Sequence, residues 1–141
     1  MAKMTPEECR DFLLVQARTG KLATVRADGR PHIAPIWFDL DGETIVFNTG
    51  ETTVKARNIQ HDARVSFCVD DERPPFTFVL VEGKATLSED MEELRYWATR
   101  IAGRYMGADL AEAYGKRNAV QGELVVRITP THWHGEKNIA D

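Results

Sequence analysis

The stretch Lys21–Gly50, KLATVRADGRPHIAPIWFDLDGETIVFNTG, decides the fold. Asp28-Gly29 and Asp41-Gly42 divide it into three apolar, β-rich runs. Asp-Gly supplies the positive-φ residues of a tight hairpin turn, so the three runs fold back as an antiparallel meander. Pro35 lies inside the second run. Proline cannot donate to a ladder, so that strand has a free edge or a bulge there.

Working outward, TPEECRDFLLVQARTG begins with a capping box: Thr5 as cap, Pro6 at the first helical position, Glu8 three residues on. Phe12, Leu13 and Val15 give that helix an apolar stripe, and Gly20 is expected to stop it. A second helix is expected after Gly50, ending near His61. ARVSFCVDDERPP reads as a strand and an acidic, proline-broken loop. FTFVLVEGKATLSED reads as a long strand with a bulge at Gly83. Ser88 is expected to cap the helix in SEDMEELRYWATRIAGRYMG, and a short helix follows around ADLAEAYGKR. AVQGELVVRITPTHWHGE closes as a strand up to Pro130. Hairpin-linked strands dominate, which excludes a doubly wound parallel sheet. The expected fold is mainly β (α+β), a small antiparallel barrel with helices outside, and residues 1–141 form one domain.

The bulk numbers suit an ordinary globular domain: 141 residues, 43% hydrophobic and 28% charged. With 18 basic against 22 acidic side chains the net charge is -4, which argues against a general nucleic-acid binder. Cys9 and Cys68 lie far apart with no CxxC, as expected of reduced thiols in a cytoplasmic protein. Cys68 reads as strand core. The first residues lack the apolar segment of a secretory signal, and no apolar run reaches the length of a membrane span.

FNTGETTVKARN, residues 47–58, is oddly charged. A helix N-terminus carries partial positive charge and favours Asp or Glu, yet this one holds Lys55 and Arg57 in its first turns. An anion between helix and cations resolves the conflict. Thr49, Thr52 and Thr53 offer hydroxyls, and Gly50 allows close backbone approach. The residues alone leave a second reading level with the first, in which Lys55 and Arg57 point to solvent on an ordinary helix.

The ordered pieces LATVRADGRPHIAPIWF, TVKARNI, DARVSFCVD and VEGKATL resemble the split-barrel flavin-binding family typified by pyridoxamine phosphate oxidase. Within it, the chain is most similar to deazaflavin-dependent reductases that use coenzyme F420. The resemblance implies a six-stranded antiparallel split β-barrel with flanking helices. It also implies a homodimer with the cofactor in a groove between chains. Lys55 matches the phosphate-binding lysine, with Thr53, Val54, Arg57 and Asn58 beside it. Asn48 and Thr49 match the strand end that meets the phosphate and ribityl chain. Pro35, Ile36, Trp37 and Phe38 match the strand against which the ring lies. Many flavin-binding members have Ser-Arg-Lys where this chain has Thr53-Val54-Lys55, so one phosphate-binding arginine is missing. The histidine and arginine pattern of vitamin-forming oxidases has no match either.

The implied function is hydride transfer from reduced coenzyme F420 to an electron-poor small molecule. FMN on the same fold and a non-enzymatic cofactor carrier are the alternatives. No side chain stands out as an obligatory catalytic acid, no metal site is expected, and neither nucleic acid nor membrane is an expected partner. Lys21, Arg26, Arg30, Arg57 and Arg64 are candidate contacts for the acidic tail of the deazaflavin. Trp97, Tyr105 and Met106 read as one helical core stripe. His132 and His134 flank Trp133 on one face of a strand; they lack a third ligand for zinc, and Trp133 reads as core or interface.

Overall fold

The structure is a computed structural model describing residues 1–141. Its elements are β1 (Ala2–Lys3), α1 (Pro6–Val15), β2 (Gly20–Val25), β3 (Pro31–Ile36), β4 (Asp39–Asp41) and β5 (Thr44–Gly50). Then follow α2 (Val54–His61), β6 (Arg64–Asp71), β7 (Thr77–Ser88), α3 (Met91–Met106), α4 (Ala108–Asn118) and β8 (Glu123–Lys137). Both Asp-Gly turns form as expected, with Gly29 at φ 88° and Gly42 at φ 63°.

All paired strands are antiparallel, in the order β3-β2-β6-β7-β8-β5-β4, with β1 added beside β8. This order puts β3 and β4 at opposite edges. Yet only Trp37 and Phe38 join them, a reach of about 11 Å at most. The sheet must therefore curl until its edges meet, and the result is a barrel. Six long strands, β2, β3, β5, β6, β7 and β8, are the expected staves; the short β1 and β4 bring the sheet to eight. β4 is the tail of the second apolar run, split from β3 at Trp37-Phe38.

Strand alternation divides the apolar residues between two cores. Inside the barrel, Leu22, Phe47, Phe67, Val81 and Val126 pack with Ile45 and Ile128. Cys9 and Leu13 of α1 and Ile59 of α2 enter the same cluster. On the outer face of β5 and β8, Val46 and Val125 meet Leu94, Trp97 and Ile101 of α3. Burying a side chain of this kind contributes about 1.5–3 kcal/mol, so the second cluster is what holds α3 against the barrel.

Several local expectations need correction. α1 has its capping box at Thr5 and Glu8 but ends at Val15, with Gln16 extended. Gly20 instead opens β2, where a Cβ would lie 2.1 Å from the Phe67 ring. Asp90, not Ser88, caps α3; its carboxylate accepts from the Glu92 and Glu93 amides. Ser88 still belongs to β7, and its hydroxyl accepts the Asp90 N–H. β8 does not stop at Pro130 but continues to Lys137. The register slips between Glu82 and Gly83, where Thr131 is the extra residue, so a proline without N–H is tolerated. Cys9, rather than Cys68, is the fully buried thiol.

Candidate functional site

A cleft of about 390 Å³ opens where the edge of β3, the outer face of β5, the start of α2 and the helices α3 and α4 converge. Its lining includes Pro35, Ile36, Trp37, Asn48 and Lys55, joined by Thr19, Ala98, Ile101, Ala102 and Asn118. The volume falls in the range of small-ligand sites. Pro35 stands on an edge strand, as its missing N–H required. Asn48 follows Val46 by two residues and therefore shares its outward face toward α3.

Two polar groups in the cleft lack partners. The Asn48 Oδ1 atom is buried and accepts no hydrogen bond. Lys55 enters none of the chain's ion pairs. A buried acceptor without a donor is costly in a finished protein. The turn before α2 is well ordered by comparison. Thr53 caps the helix through Ala56 N–H at 3.2 Å and donates to the Gly50 carbonyl at 2.9 Å. The buried Thr49 hydroxyl lies 2.9 Å from that of Thr53.

The ring-sized wall of the cleft is Trp37, 38% exposed. Its back is stacked on Tyr105 of α3, with centroids 5.0 Å apart and planes 3° apart. The Tyr105 hydroxyl accepts the Phe38 N–H at 3.2 Å and donates to the Arg18 carbonyl at 2.7 Å. Burial pushes this phenol up, which keeps it a proton donor. Arg104 donates to the Phe38 carbonyl at 2.7 Å and to Leu13 and Gln16 carbonyls. Side chains of α3 thus hold both peptide groups of Phe38, where the barrel seam leaves no strand partner.

A family model described as pyridoxamine 5'-phosphate oxidase matches residues 5–137. The chain belongs to the pyridoxamine 5'-phosphate oxidase family. A reductase of 5a,11a-dehydrotetracycline and 5a,11a-dehydrooxytetracycline from Streptomyces rimosus is 43% identical over 56 residues, 37% of this chain. That match spans only 39% of the relative's length. Among solved structures, a conserved hypothetical protein of Mycobacterium tuberculosis superposes with TM-score 0.84 at 28% identity, covering 96% of this chain and 86% of that one. A structure described as an F420 reductase gives TM-score 0.69 at 28% identity, covering 87% of this chain and 94% of its own.

Of the positions that the pyridoxamine 5'-phosphate oxidase resemblance singled out, five line the cleft: Pro35, Ile36, Trp37, Asn48 and Lys55. Thr49 and Thr53 stand behind them as supports of the turn. Phe38 is elsewhere: alternation sends it into the barrel core, edge-on to Phe67 at 4.8 Å. Asn58 is also buried, its amide donating to Thr24 Oγ1 at 2.9 Å. Val54 and Arg57 are exposed on α2 and outside the cleft lining.

The expected basic track for an acidic tail is largely spent on local partners. Lys21 pairs with Asp70 at 2.7 Å, Arg30 with Asp28 at 2.9 Å and Arg64 with Asp62 at 2.7 Å. Asp62 is held down at about 2, chiefly by its hydrogen bonds to Arg64. Only Arg26 and Arg57 of the five remain outside the ion pairs. Trp97 is buried against β5, as expected. His134 pairs with Glu136 at 3.3 Å, and Trp133 packs on the barrel core.

Sequence reasoning missed Tyr105 as a support of Trp37, and it missed Ala98, Ile101, Ala102 and Asn118 as cleft walls. It also missed Glu123, which lies beside Gly50 and whose carboxyl burial pushes up while Lys55 opposes. The stripe of Trp97, Tyr105 and Met106 marked the buried side of this helix, but nothing local says that Ala98, Ile101 and Ala102 beside it face Trp37.

Proposed function

We propose that the protein is an oxidoreductase that works with a reduced deazaflavin of the coenzyme F420 type and acts on an electron-poor small molecule. The observation that carries this reading is the cleft. It sets a free ammonium, an unpartnered buried amide oxygen and a flat apolar wall around one ring-sized space. Those are the groups a phosphorylated, ring-bearing cofactor needs. The similarity to an F420 reductase and to a dehydrotetracycline reductase favours the deazaflavin and a reductive direction.

Such a cofactor, when bound, supplies a hydride to an activated double bond or an imine-like bond. Lys55 would hold the phosphate, with the Thr53-capped start of α2 behind it. Asn48 stands ready to accept a hydrogen bond from the polar chain or ring. Trp37, fixed by Tyr105, orients the ring and excludes water together with Ile101 and the alanines of α3. The only ionisable lining residue of this subunit is Lys55, which a phosphate would occupy. This subunit thus supplies no acid for the proton that completes the reduction, which leaves solvent as its source unless the second subunit carries one.

The partner we assign is a second copy of the chain. Ile33, 68% exposed, precedes Pro35 by two residues on the outward side of β3. It borders a hollow of about 650 Å³ with Cys68, Phe76, Phe78 and Ile139. This apolar patch, bordered by Lys21, Asp70, Asp71 and Glu72, suits contact with a twin subunit.

Titration of the purified protein with oxidised coenzyme F420 and with FMN tests the cofactor. The deazaflavin is expected to bind more tightly, and its reduced form to be oxidised by cyclic enones or quinones. Tighter FMN binding, or FMN that copurifies stoichiometrically, puts the FMN reading in its place. Tight deazaflavin binding without turnover on any acceptor leaves a cofactor carrier.

A further inference from the structure

Glu123 is a carboxylate in the wrong place for an anion site. It opens β8 directly opposite Gly50, the last residue of β5. Its Oε2 hangs so close over Gly50 that a Cβ there would meet it at 2.9 Å. From Gly50 the chain runs through the Thr53 cap to Lys55, the second residue of α2. Lys55 is the one charge of opposite sign that acts on the Glu123 carboxyl, against the larger effect of burial. Glu51 and Glu89 line a small hollow together with Glu123, and every charge in that lining is negative. Residues 52–55 are Thr-Thr-Val-Lys and hold a single cation.

We propose that Glu123 sets the kind of phosphate the Lys55 site accepts, favouring a singly charged phosphodiester over a doubly charged phosphomonoester. The inference rests on Lys55 being the anion site. One ammonium balances one negative charge. A terminal phosphomonoester carries about -1.5 to -2 at pH 7, so its second charge meets Glu123 rather than a second cation, because Arg57 is exposed and outside the cleft lining. In a half-buried site that repulsion is weakly screened. FMN ends in a phosphomonoester. The phosphate of the deazaflavin is bridged to a lactyl-glutamate tail and is a diester. The carboxylate thus rejects FMN at the phosphate, away from the ring, where the two cofactors resemble each other most.

The test compares FMN with its phosphate methyl ester, which keeps the ring and ribityl chain and removes one charge. Calorimetric dissociation constants are measured at pH 8 and low salt for the unmodified protein, Glu123→Gln and Lys55→Ala. The ester should bind the unmodified protein about tenfold more tightly than FMN. In Glu123→Gln the gap should shrink to about threefold or less, mainly because FMN tightens. Lys55→Ala should weaken both ligands. An unchanged ratio in Glu123→Gln, with both ligands still weakened by Lys55→Ala, overturns the role of Glu123 alone. Loss of Lys55 without effect on either ligand, or no binding of either by the unmodified protein, removes the anion site and this inference with it.

Discussion

The indole of Trp37 and the phenol of Tyr105 lie parallel, 5.0 Å between centroids, although 67 residues separate Tyr105 from the Phe38 amide it also binds. One side of the indole is thereby used by the protein and the other left to the cleft. Tyr105→Phe keeps the stack and removes the hydroxyl, leaving the buried Phe38 N–H without an acceptor. We expect a loss of about 1–3 kcal/mol in urea denaturation. Tryptophan emission should shift as the 37–38 segment loosens.

Lys55→Ala should weaken deazaflavin binding about ten- to a hundredfold, the range of a lost hydrogen bond to a charged group. The melting temperature should hold, because a lysine at the start of a helix opposes the dipole. Thr53→Ala should do the reverse in stability, costing about 0.5–2 kcal/mol through loss of the cap. Calorimetry on both variants separates a ligand contact from a support of the turn.

Gly20→Ala should be strongly destabilising, because its Cβ would fall 2.1 Å from Phe67. Overpacking of this kind costs about 1–3 kcal/mol or more. Adding Phe67→Leu should recover part of that loss even though it is itself destabilising. A double-mutant cycle with no favourable coupling would mean that the backbone, not the ring, carries the strain.

Asp71 is held at about 2 by hydrogen bonds from Arg73, with Arg18 adding its charge. Its folded value is depressed below the ordinary 3.8, so its contribution is complete above about pH 4 and disappears as pH falls through about 2. Asp71→Asn should therefore melt below the unmodified protein at pH 7, and the two curves should converge toward pH 2. A constant offset across that range would count against the linkage.

The homodimer is expected to use the hollow around Ile33. Ile33→Asp should turn a dimer in sedimentation velocity into a monomer and lower cofactor affinity in parallel. A monomeric unmodified protein with full affinity would sink this arrangement.

The hairpins of Lys21–Gly50 were legible because Asp-Gly turns act through their own backbone. The same is true of the Thr5 capping box and of the helix start after Gly50, although Thr53 was read there as an anion contact and not as the cap. Helix α3 shows the limit: Ser88 and Asp90 are both capping types two residues apart, and only packing decides between them. Pro130 looked like a strand end because the bulge that admits it depends on Gly83, far away in the chain. Within the site, Lys55 announced itself by charge and Pro35 by its missing N–H. Phe38 and Asn58 were placed by adjacency to functional positions, and alternation or a buried partner turned them inward. Tyr105 behind Trp37 and Glu123 over Gly50 are brought there by contacts between distant segments, which no local pattern records.

Strand β8 joins two otherwise separate groups of strands, β3-β2-β6-β7 on one side and β5-β4 on the other. As the chain leaves the ribosome, the first group can pair while the second waits without its neighbour. Nothing closes until residues 123–137 emerge, which begin with Glu123, the partner of Gly50. The cleft is thus among the last features to form during synthesis. A nascent chain stalled before β8 should expose the apolar face of β5 to chaperones, with α2 already capped by Thr53 and no barrel beneath it.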